Sequence, residues 1–216
     1  MTLREIIDSF QGELDERVKV HEEIAAVTRK LIFYSKHGIM AIHRGDRAEA
    51  KSKIAEMEQT RKRLDEILDR HRDAYTGSVR VAIQEYAEAH ILLSLIERSI
   101  YPDPNELKIP AISYILGLAD SVGEFRRRAL NCLLEENLRE AERCLNIMKE
   151  IYGELISQEK AYVLASELRR KCDIARRIID ATLGDVMTEA RRSSLQKTVE
   201  RLEENIRGVK EGMTKT

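Results

Sequence analysis

Apolar residues recur at intervals of three and four positions along most of this chain, with charged residues between them. In the N-terminal segment these residues are Ile6, Phe10, Leu14, Val18, Ile24 and Leu31. This spacing gives an α-helix one apolar face, which we expect to pack lengthwise against a neighbour. We find no convincing strand pattern and no internal repeat. The pattern therefore predicts an all-α fold.

Caps, glycines and prolines divide the pattern into about seven helices. Capping boxes begin the first two helices at Thr2 and Asp46, and Gly38 and Gly45 suit the turn between them. Two prolines within residues 101–105 end the third helix. The predicted helices are Thr2–Lys36, Asp46–Tyr75, Val79–Ile100, Pro110–Leu134, Asn137–Ser157, Lys160–Ala181 and Asp185–Val209.

Length and composition favour one soluble helical domain. The chain has 216 residues, of which 43% are hydrophobic and 35% charged. We expect a single domain over residues 1–210, with Gly184 ending the sixth helix, and a frayed tail over residues 211–216. The longest apolar run, Ile109–Ala119, is about half of the roughly 20 residues that a membrane span needs. No signal peptide is recognised, and three cysteines without a CxxC pair favour a cytoplasmic location.

The overall charge limits where a polyanion could bind. Lys and Arg number 37 and Asp and Glu 38, which gives a formal net charge of −1. Because a near-neutral chain has no global basic field, any nucleic-acid site must be local. The five histidines form no spacing typical of a zinc site or a catalytic triad, and we assign them no role. Candidate chemistry therefore depends on clusters of acidic and basic residues.

Two acidic pairs lie on the two most apolar predicted helices. Glu85 and Glu88 share one face of the third helix, and Asp120 and Glu124 share one face of the fourth, where Gly123 leaves room for a close approach. If these helices pack together, four carboxylates converge. Oxygen donors without a converging His or Cys suit a hard cation such as Mg²⁺ or Mn²⁺.

Three arginines follow this acidic set and could hold a phosphate group. They are Arg126, Arg127 and Arg128. Metal ions beside a cationic clamp are what metal-assisted phosphodiester hydrolysis requires. Ordinary salt bridges between the acidic residues and nearby arginines are the alternative. A ferritin-like di-iron site is a weaker alternative. Such a site needs a Glu-x-x-His motif, in which the His follows the Glu by three positions, whereas His90 follows Glu88 by two.

Two segments of these helices resemble motifs of a known family. VAIQEYAEAHILLSLIE, from Val81 to Glu97, resembles the "QEYVEA" helix of the Trax branch of the translin/Trax family. ISYILGLADSVGEFRRRALN, from Ile112 to Asn131, resembles its "DYLLG.ADLTGELRR" helix. The motifs occur in the same order, and the resemblance is specific over residues 79–134. The family is also all-α, with seven helices and about this length.

The resemblance implies a metal-dependent endoribonuclease subunit. Family members assemble into octameric shells that enclose RNA, and the Trax subunits carry the acidic catalytic residues. Matched one position at a time, those residues fall on Glu85, Glu88, Asp120 and Glu124, which would be both catalytic and metal-binding, with Mg²⁺ or Mn²⁺ as the cofactor. All four positions are acidic here.

The sequence departs from the family at two places. Residues 72–78 replace a His-containing nucleic-acid-binding stretch of translin, so that patch is not transferable. Residues 101–108 replace a long insertion of larger Trax proteins. The chain thus resembles a compact microbial or archaeal version, which we expect to form a homo-oligomer, such as an octamer, or a hetero-oligomer with a translin-like sister subunit.

Local basic clusters are candidates for binding RNA. One cluster, on the second helix, consists of Lys51, Lys53, Arg61, Lys62 and Arg63, and the other, on the sixth, of Arg169, Arg170, Lys171, Arg176 and Arg177. Arg170 and Arg177 share a face, as residues that follow a phosphate backbone would. Acidic residues interleave with both clusters. No interleaved aromatic residues are apparent, so we expect recognition of phosphate and shape with low sequence specificity. The RNA-binding candidates selected from all basic groups are Arg126, Arg127, Arg128, Arg170, Arg177 and Lys62.

Three functions follow from these observations. The first is an Mg²⁺- or Mn²⁺-dependent endoribonuclease that cleaves single-stranded or nicked RNA inside an oligomeric shell. The second is a non-catalytic, translin-like protein that binds single-stranded DNA or RNA. The third is a helical scaffold without a polyanion ligand, and none of the three involves a membrane.

Overall fold

The fold is all-α, as predicted. In this computed structural model the backbone is described for residues 1–213 and the side chains for residues 1–207, and residues 1–213 contain no β-strand. The helices are α1 (Leu3–Ser9), α2 (Gln11–His43), α3 (Arg47–Arg70), α4 (Gly77–Glu97), α5 (Ala111–Leu134), α6 (Leu138–Ile156), α7 (Glu159–Leu164) and α8 (Glu167–Met213), with a 3₁₀ turn at Arg72–Ala74. Since α1 and α2 are separated by Phe10 alone, the described chain has about seven helical segments.

The predicted capping box forms at Thr2, whereas Asp46 accepts from the Glu49 N–H but donates its own backbone N–H to Ala41. The first helix does not end where predicted. Thr2 accepts a hydrogen bond from the backbone N–H of Glu5 at 3.3 Å, and the Thr2 backbone N–H donates to the Glu5 carboxylate at 2.8 Å. However, α2 continues past Lys36 to His43. Gly38 is buried inside the helix instead of forming the turn. The turn is formed by Gly45, whose φ of +72° is readily adopted by glycine.

The C-terminal helices also differ from the prediction. The predicted sixth helix is the short α7 together with the first part of α8, and α8 continues through Gly184 without a break. One glycine inside a helix costs about 1 kcal/mol, which is too little to end a helix held by packing. Of the tail predicted for residues 211–216, residues 211–213 belong to α8, and residues 214–216 lie outside the described part.

The chain divides into two compact units. Unit 1 comprises Met1–Ser121 and Lys160–Leu168, and unit 2 comprises Val122–Glu159 and Arg169–Thr216. Within unit 1, α2 packs against α3 and α4. The core of unit 1 is largest around α4, whose buried residues include Val79, Ala82, Ile83, Ala87, Ile91 and Leu92. Within unit 2, α6 buries one apolar face, and Cys132 and Cys144 are buried in the core.

Two apolar stripes remain exposed in the single chain. The N-terminal stripe consists of Leu3, Ile7, Phe10, Leu14 and Val18. The C-terminal stripe, on α8, consists of Leu195, Val199, Leu202 and Ile206. Their spacings of four and three positions are those by which one helix packs against another. Within the described residues, no helix combines the length and apolar character needed to cross a bilayer.

Candidate functional site

A glycine brings α4 and α5 into close contact in unit 1. A Cβ atom placed on Gly117 would lie 2.8 Å from the Ala87 Cβ, 3.1 Å from the backbone oxygen of Gln84 and 3.1 Å from the backbone nitrogen of Glu88. Only glycine allows the two backbones to come this close. At Gly123, where room for a backbone or a ligand was predicted, nothing lies within 4 Å of such a Cβ; no backbone comes close there, and the approach of a ligand stays a prediction.

This contact places predicted acidic residues on two adjoining helices. Asp120, one turn after Gly117, accepts a hydrogen bond from the side-chain amide of Gln84, the neighbour of Glu85. Glu88 follows one turn after Gln84 and is only 8% exposed. The structure thus brings Asp120 to the segment of α4 that carries both glutamates.

The other two predicted carboxylates, Glu124 and Glu85, have different positions. Glu124 lies one turn beyond Asp120 on α5, in unit 2. The Glu85 Oε1 lies 3.5 Å from the Lys36 Nζ, and the Glu85 side chain is 20% exposed. Lys36 is on α2, so a third helix reaches the acidic region. Arg80, a nearby arginine on α4, pairs with Glu167 at 3.0 Å.

The polar groups at this contact offer carboxylate and amide oxygens, which are the ligands that a hard cation prefers. Within the described residues, no group of three or more His, Cys, Asp and Glu side chains lies close enough together to hold a metal ion. Asp120 is engaged by Gln84 and Glu85 by Lys36. Metal binding at these residues therefore requires their side chains to exchange these partners for the ion.

On the opposite face of α4, two rings pack against each other in the core. Tyr86 and His90 stack edge to face with ring centroids 4.5 Å apart. Burial raises the pKa of Tyr86 to about 12 and lowers the pKa of His90 to about 4. Arg61 lies 5.9 Å from the Tyr86 ring centroid and donates to the carbonyl oxygen of Lys108 at 2.9 Å. Because Arg61 is only 5% exposed, it supports the fold instead of reaching a ligand.

Two of the three consecutive arginines at positions 126–128 pair with side chains inside unit 2. Arg126 donates to Thr182 Oγ1 at 2.7 Å and to Asp185 at 3.2 Å. Arg128 donates to the carboxylate of Glu140 at 3.2 Å. Arg127 is exposed. Of the three predicted phosphate-binding arginines, two are thus held by neighbouring side chains.

The other predicted basic candidates are exposed but lie on separate helices. Lys62 is on α3 in unit 1, whereas Arg170 and Arg177 are on α8 in unit 2. The Arg177 side chain donates to the backbone oxygen of Asp173 at 3.3 Å, within its own helix. These residues could contact a polyanion at the surface.

A basic face on α2 that includes Lys36 was not predicted from the sequence. Residues 24–45 contain no Asp or Glu, although the whole chain has 38 of them. That absence was a usable signal, but Lys36 and its neighbours are spaced along the helix and form no run of consecutive charges. Runs of consecutive charges therefore do not reveal these residues.

Comparison with known proteins identifies the family. The translin family model matches residues 19–180. The uncharacterized protein MJ0175 of Methanocaldococcus jannaschii is 32% identical over 192 residues, which cover 88% of this chain and 85% of that protein.

Solved structures agree with this assignment. AfC3PO is 28% identical with a TM-score of 0.78, and the AfC3PO–duplex RNA complex is 27% identical with a TM-score of 0.76; both matches cover 86% of this chain and 97% of the other. Apo-NeC3PO, at 24% identity and a TM-score of 0.78, covers 88% of this chain and 98% of its own, and supports the fold alone. The chain belongs to the translin family.

Proposed function

We propose that this protein is an RNA-binding subunit of a translin-family oligomer, and that it hydrolyses RNA with Mg²⁺ or Mn²⁺ at the carboxylates of α4 and α5. The observation that carries the proposal is the contact at Gly117, which places Asp120 against Gln84 beside Glu85. The similarity to AfC3PO, which has been solved as a complex with duplex RNA, supports the choice of ligand.

Each acidic residue has a distinct setting for this chemistry. Glu88 is nearly buried, where a carboxylate charge is costly, and a bound cation would stabilise that charge. Glu85 is more exposed and lies beside Lys36, whose ammonium group can attract a phosphate. Asp120 is oriented by Gln84, and Glu124 follows one turn later on α5. A bound Mg²⁺ or Mn²⁺ would supply Lewis acidity to the phosphodiester and lower the pKa of the attacking water.

The test separates cleavage from binding. Asp120→Asn and Glu88→Gln keep the size of each side chain and remove its charge. In single-turnover assays with labelled RNA and Mn²⁺, we expect cleavage to fall by about a hundredfold or more, with the Kd for RNA within about twofold of wild type. Glu97→Gln, an exposed residue at the end of α4, is the matched control and should cleave normally. Undiminished cleavage by both variants, with contaminants excluded, would refute the catalytic assignment.

Metal binding has its own readout. Titration calorimetry with Mn²⁺ alone should give binding to the wild-type protein that is weakened by about tenfold or more in Asp120→Asn, and less affected in Glu97→Gln. Equal Mn²⁺ affinity in all three proteins would place the ion elsewhere.

A non-catalytic function is the second candidate, and one observation favours it. Glu85 and Asp120 already have protein partners, and the described residues contain no ready group of three metal ligands. This candidate predicts salt-dependent binding of single-stranded DNA or RNA and no cleavage with any divalent ion. Failure to bind oligonucleotides at low salt would favour the scaffold function instead.

Assembly into an oligomer belongs to the same proposal. The exposed stripes at both ends of the chain have the spacing of helix-packing faces, and such apolar area is covered in stable proteins. We propose a homo-oligomer, with the octamer and a hetero-oligomer with a sister subunit as its specific forms. Native mass spectrometry of wild type and Leu202→Lys tests this, since the variant should dissociate. The buried, unpaired cysteines support the proposed cytoplasmic location.

A further inference from the structure

The middle of α2 carries only positive charge. Between Glu23 and Asp46 there is no acidic residue. The basic residues of this stretch are Arg29, Lys30, Lys36 and Arg44. Because elsewhere acidic residues interleave with the basic ones, this stretch is the most uniform basic segment of an otherwise balanced chain.

One face of this segment combines the charges with aromatic rings. Positions 29, 33 and 37 are four apart and therefore lie in one row along the helix, with position 36 beside them. Arg29, Phe33 and Lys36 are exposed, and the Phe33 side chain is 50% exposed. We call Arg29, Lys30, Phe33, Lys36 and His37 the α2 face.

The two rings of the α2 face are already in place. The centroids of Phe33 and His37 are 3.9 Å apart, with their planes 31° from parallel. His37 Nδ1 donates to the backbone oxygen of Phe33 at 2.8 Å, which fixes the imidazole. Tyr34 packs edge-on against Phe33 at 5.5 Å. A planar ligand would therefore meet rings that lose little conformational freedom when it binds.

The α2 face adjoins the acidic residues. Lys36 is 57% exposed, and its Nζ lies 3.5 Å from Glu85 Oε1. Since α2 packs against α4 within unit 1, a strand held on the α2 face lies next to Glu85. The arrangement combines positive charge for phosphates with exposed rings for flat apolar groups, which is the pairing found where proteins bind single strands.

We propose that the Phe33–His37 pair is a stacking site for one unpaired nucleobase of an RNA strand, and that Arg29, Lys30 and Lys36 hold the adjoining phosphates. This inference rests on the proposed RNA-binding function and specifies its substrate as RNA with at least one unpaired base near Glu85. A base within a continuous duplex has both faces covered by its neighbours and cannot occupy the site.

The test compares single-stranded and duplex RNA in the full-length protein. Phe33→Ala should weaken binding of a short single strand by about tenfold or more, and binding of a blunt duplex of equal length by less than about twofold. Phe33→Tyr keeps a ring and should bind like wild type. Tyr75→Ala removes an exposed ring from another part of unit 1 and should leave both affinities within about twofold.

A spectroscopic readout reports stacking directly. A single strand with 2-aminopurine should show quenching on binding to wild type and Phe33→Tyr, and much less in Phe33→Ala at saturating protein. Arg29→Ala should instead reduce the dependence of binding on salt for both RNAs. The slope of log affinity against log salt concentration should become smaller in magnitude by about one. Circular dichroism confirms that each variant is folded.

Two results with Phe33→Ala would assign Phe33 another role and so overturn the inference. One is that Phe33→Ala weakens single strand and duplex equally, with quenching unchanged. The other is that it leaves RNA binding unchanged but alters the oligomer mass, which would make the α2 face a subunit interface. If wild type itself binds no RNA, the proposed function fails; if wild type binds and Phe33→Ala behaves like wild type, only the stacking site fails.

Discussion

α5 contributes to two charged regions that are built in different ways. In its first half Asp120 lies one turn after Gly117 and meets Gln84 of α4. In its second half Arg126 contacts Asp185 of α8, whereas Arg128 contacts Glu140 of α6. The first region gathers polar groups of two helices at one place, and the second sends adjacent charges to separate partners.

The difference follows from helix geometry. Consecutive residues are separated by about 100° around a helix, so three arginines in a row cannot share a face. Residues three or four positions apart do share one. A site is therefore indicated by charges at helical spacing opposite a close helix contact, and a run of like charges is a weaker signal. Three sets of variants test this contrast.

The largest expected effect concerns the close contact itself. Gly117→Ala should lower the free energy of unfolding by about 2 to 3 kcal/mol, because the new methyl group meets backbone atoms of Gln84 and Glu88 that cannot rotate away. Equilibrium denaturation measures this.

Gly123→Ala on the same helix is the matched control. Its methyl group would have nothing within 4 Å, and removing a glycine from a helix should stabilise the protein by about 0.5 to 1 kcal/mol. Equal effects of the two substitutions would show that the helices are not in close contact at Gly117.

The second effect concerns the packed face of α4. Burial lowers the pKa of His90 to about 4, so the unfolded chain binds the extra proton first as the pH falls. The contribution of His90 to the free energy of unfolding is therefore fully present above pH 6.5 and is lost as the pH falls towards 4. Between pH 7 and pH 5 the loss amounts to about 2 kcal/mol.

Denaturation series at both pH values should show this loss in wild type and a smaller one in His90→Leu. His21→Gln, which changes an exposed imidazole, should retain the wild-type pH dependence. An unchanged pH dependence in His90→Leu would contradict the buried, neutral state of His90.

The smallest effect tests the arginine run. Arg126→Ala removes hydrogen bonds to Thr182 and Asp185 and should destabilise the protein by about 1 kcal/mol. Arg127→Ala, at an exposed position, should change stability by less than about 0.5 kcal/mol. Equal losses in the two variants would show that the run acts as one structural cluster.

Local chemistry made much of the fold predictable. The capping box at Thr2 is present, Asp46 caps α3 through its side chain, and α5 begins directly after Pro110. Caps and prolines act through neighbouring backbone groups, so their effect is encoded in a few adjacent residues. Gly38 and Gly184 instead lie inside helices. Whether a glycine ends a helix depends on packing by distant residues, which single-sequence patterns do not contain.

The placement of the acidic residues on adjoining helices was predictable, and the identity of their neighbours was less so. The motif resemblance and helical spacing selected Glu85, Glu88 and Asp120, which lie on adjoining helices. The spacing could not select Lys36 as the partner of Glu85, since the two residues are far apart in sequence. Nor could it distinguish Gly117 from Gly123, because both look like small residues on one helix. Their difference depends on what faces them.

The atoms of α4 that face Gly117 also limit how this position can vary during evolution. A larger residue could be partly compensated by Ala87→Gly, which removes one contact. The other two contacts are with backbone atoms of Gln84 and Glu88, and no substitution removes a backbone. Variation at position 117 therefore requires the two helices to separate, which would take Asp120 away from Gln84. Descendants of this protein can diversify that position or keep this acidic arrangement, but not both.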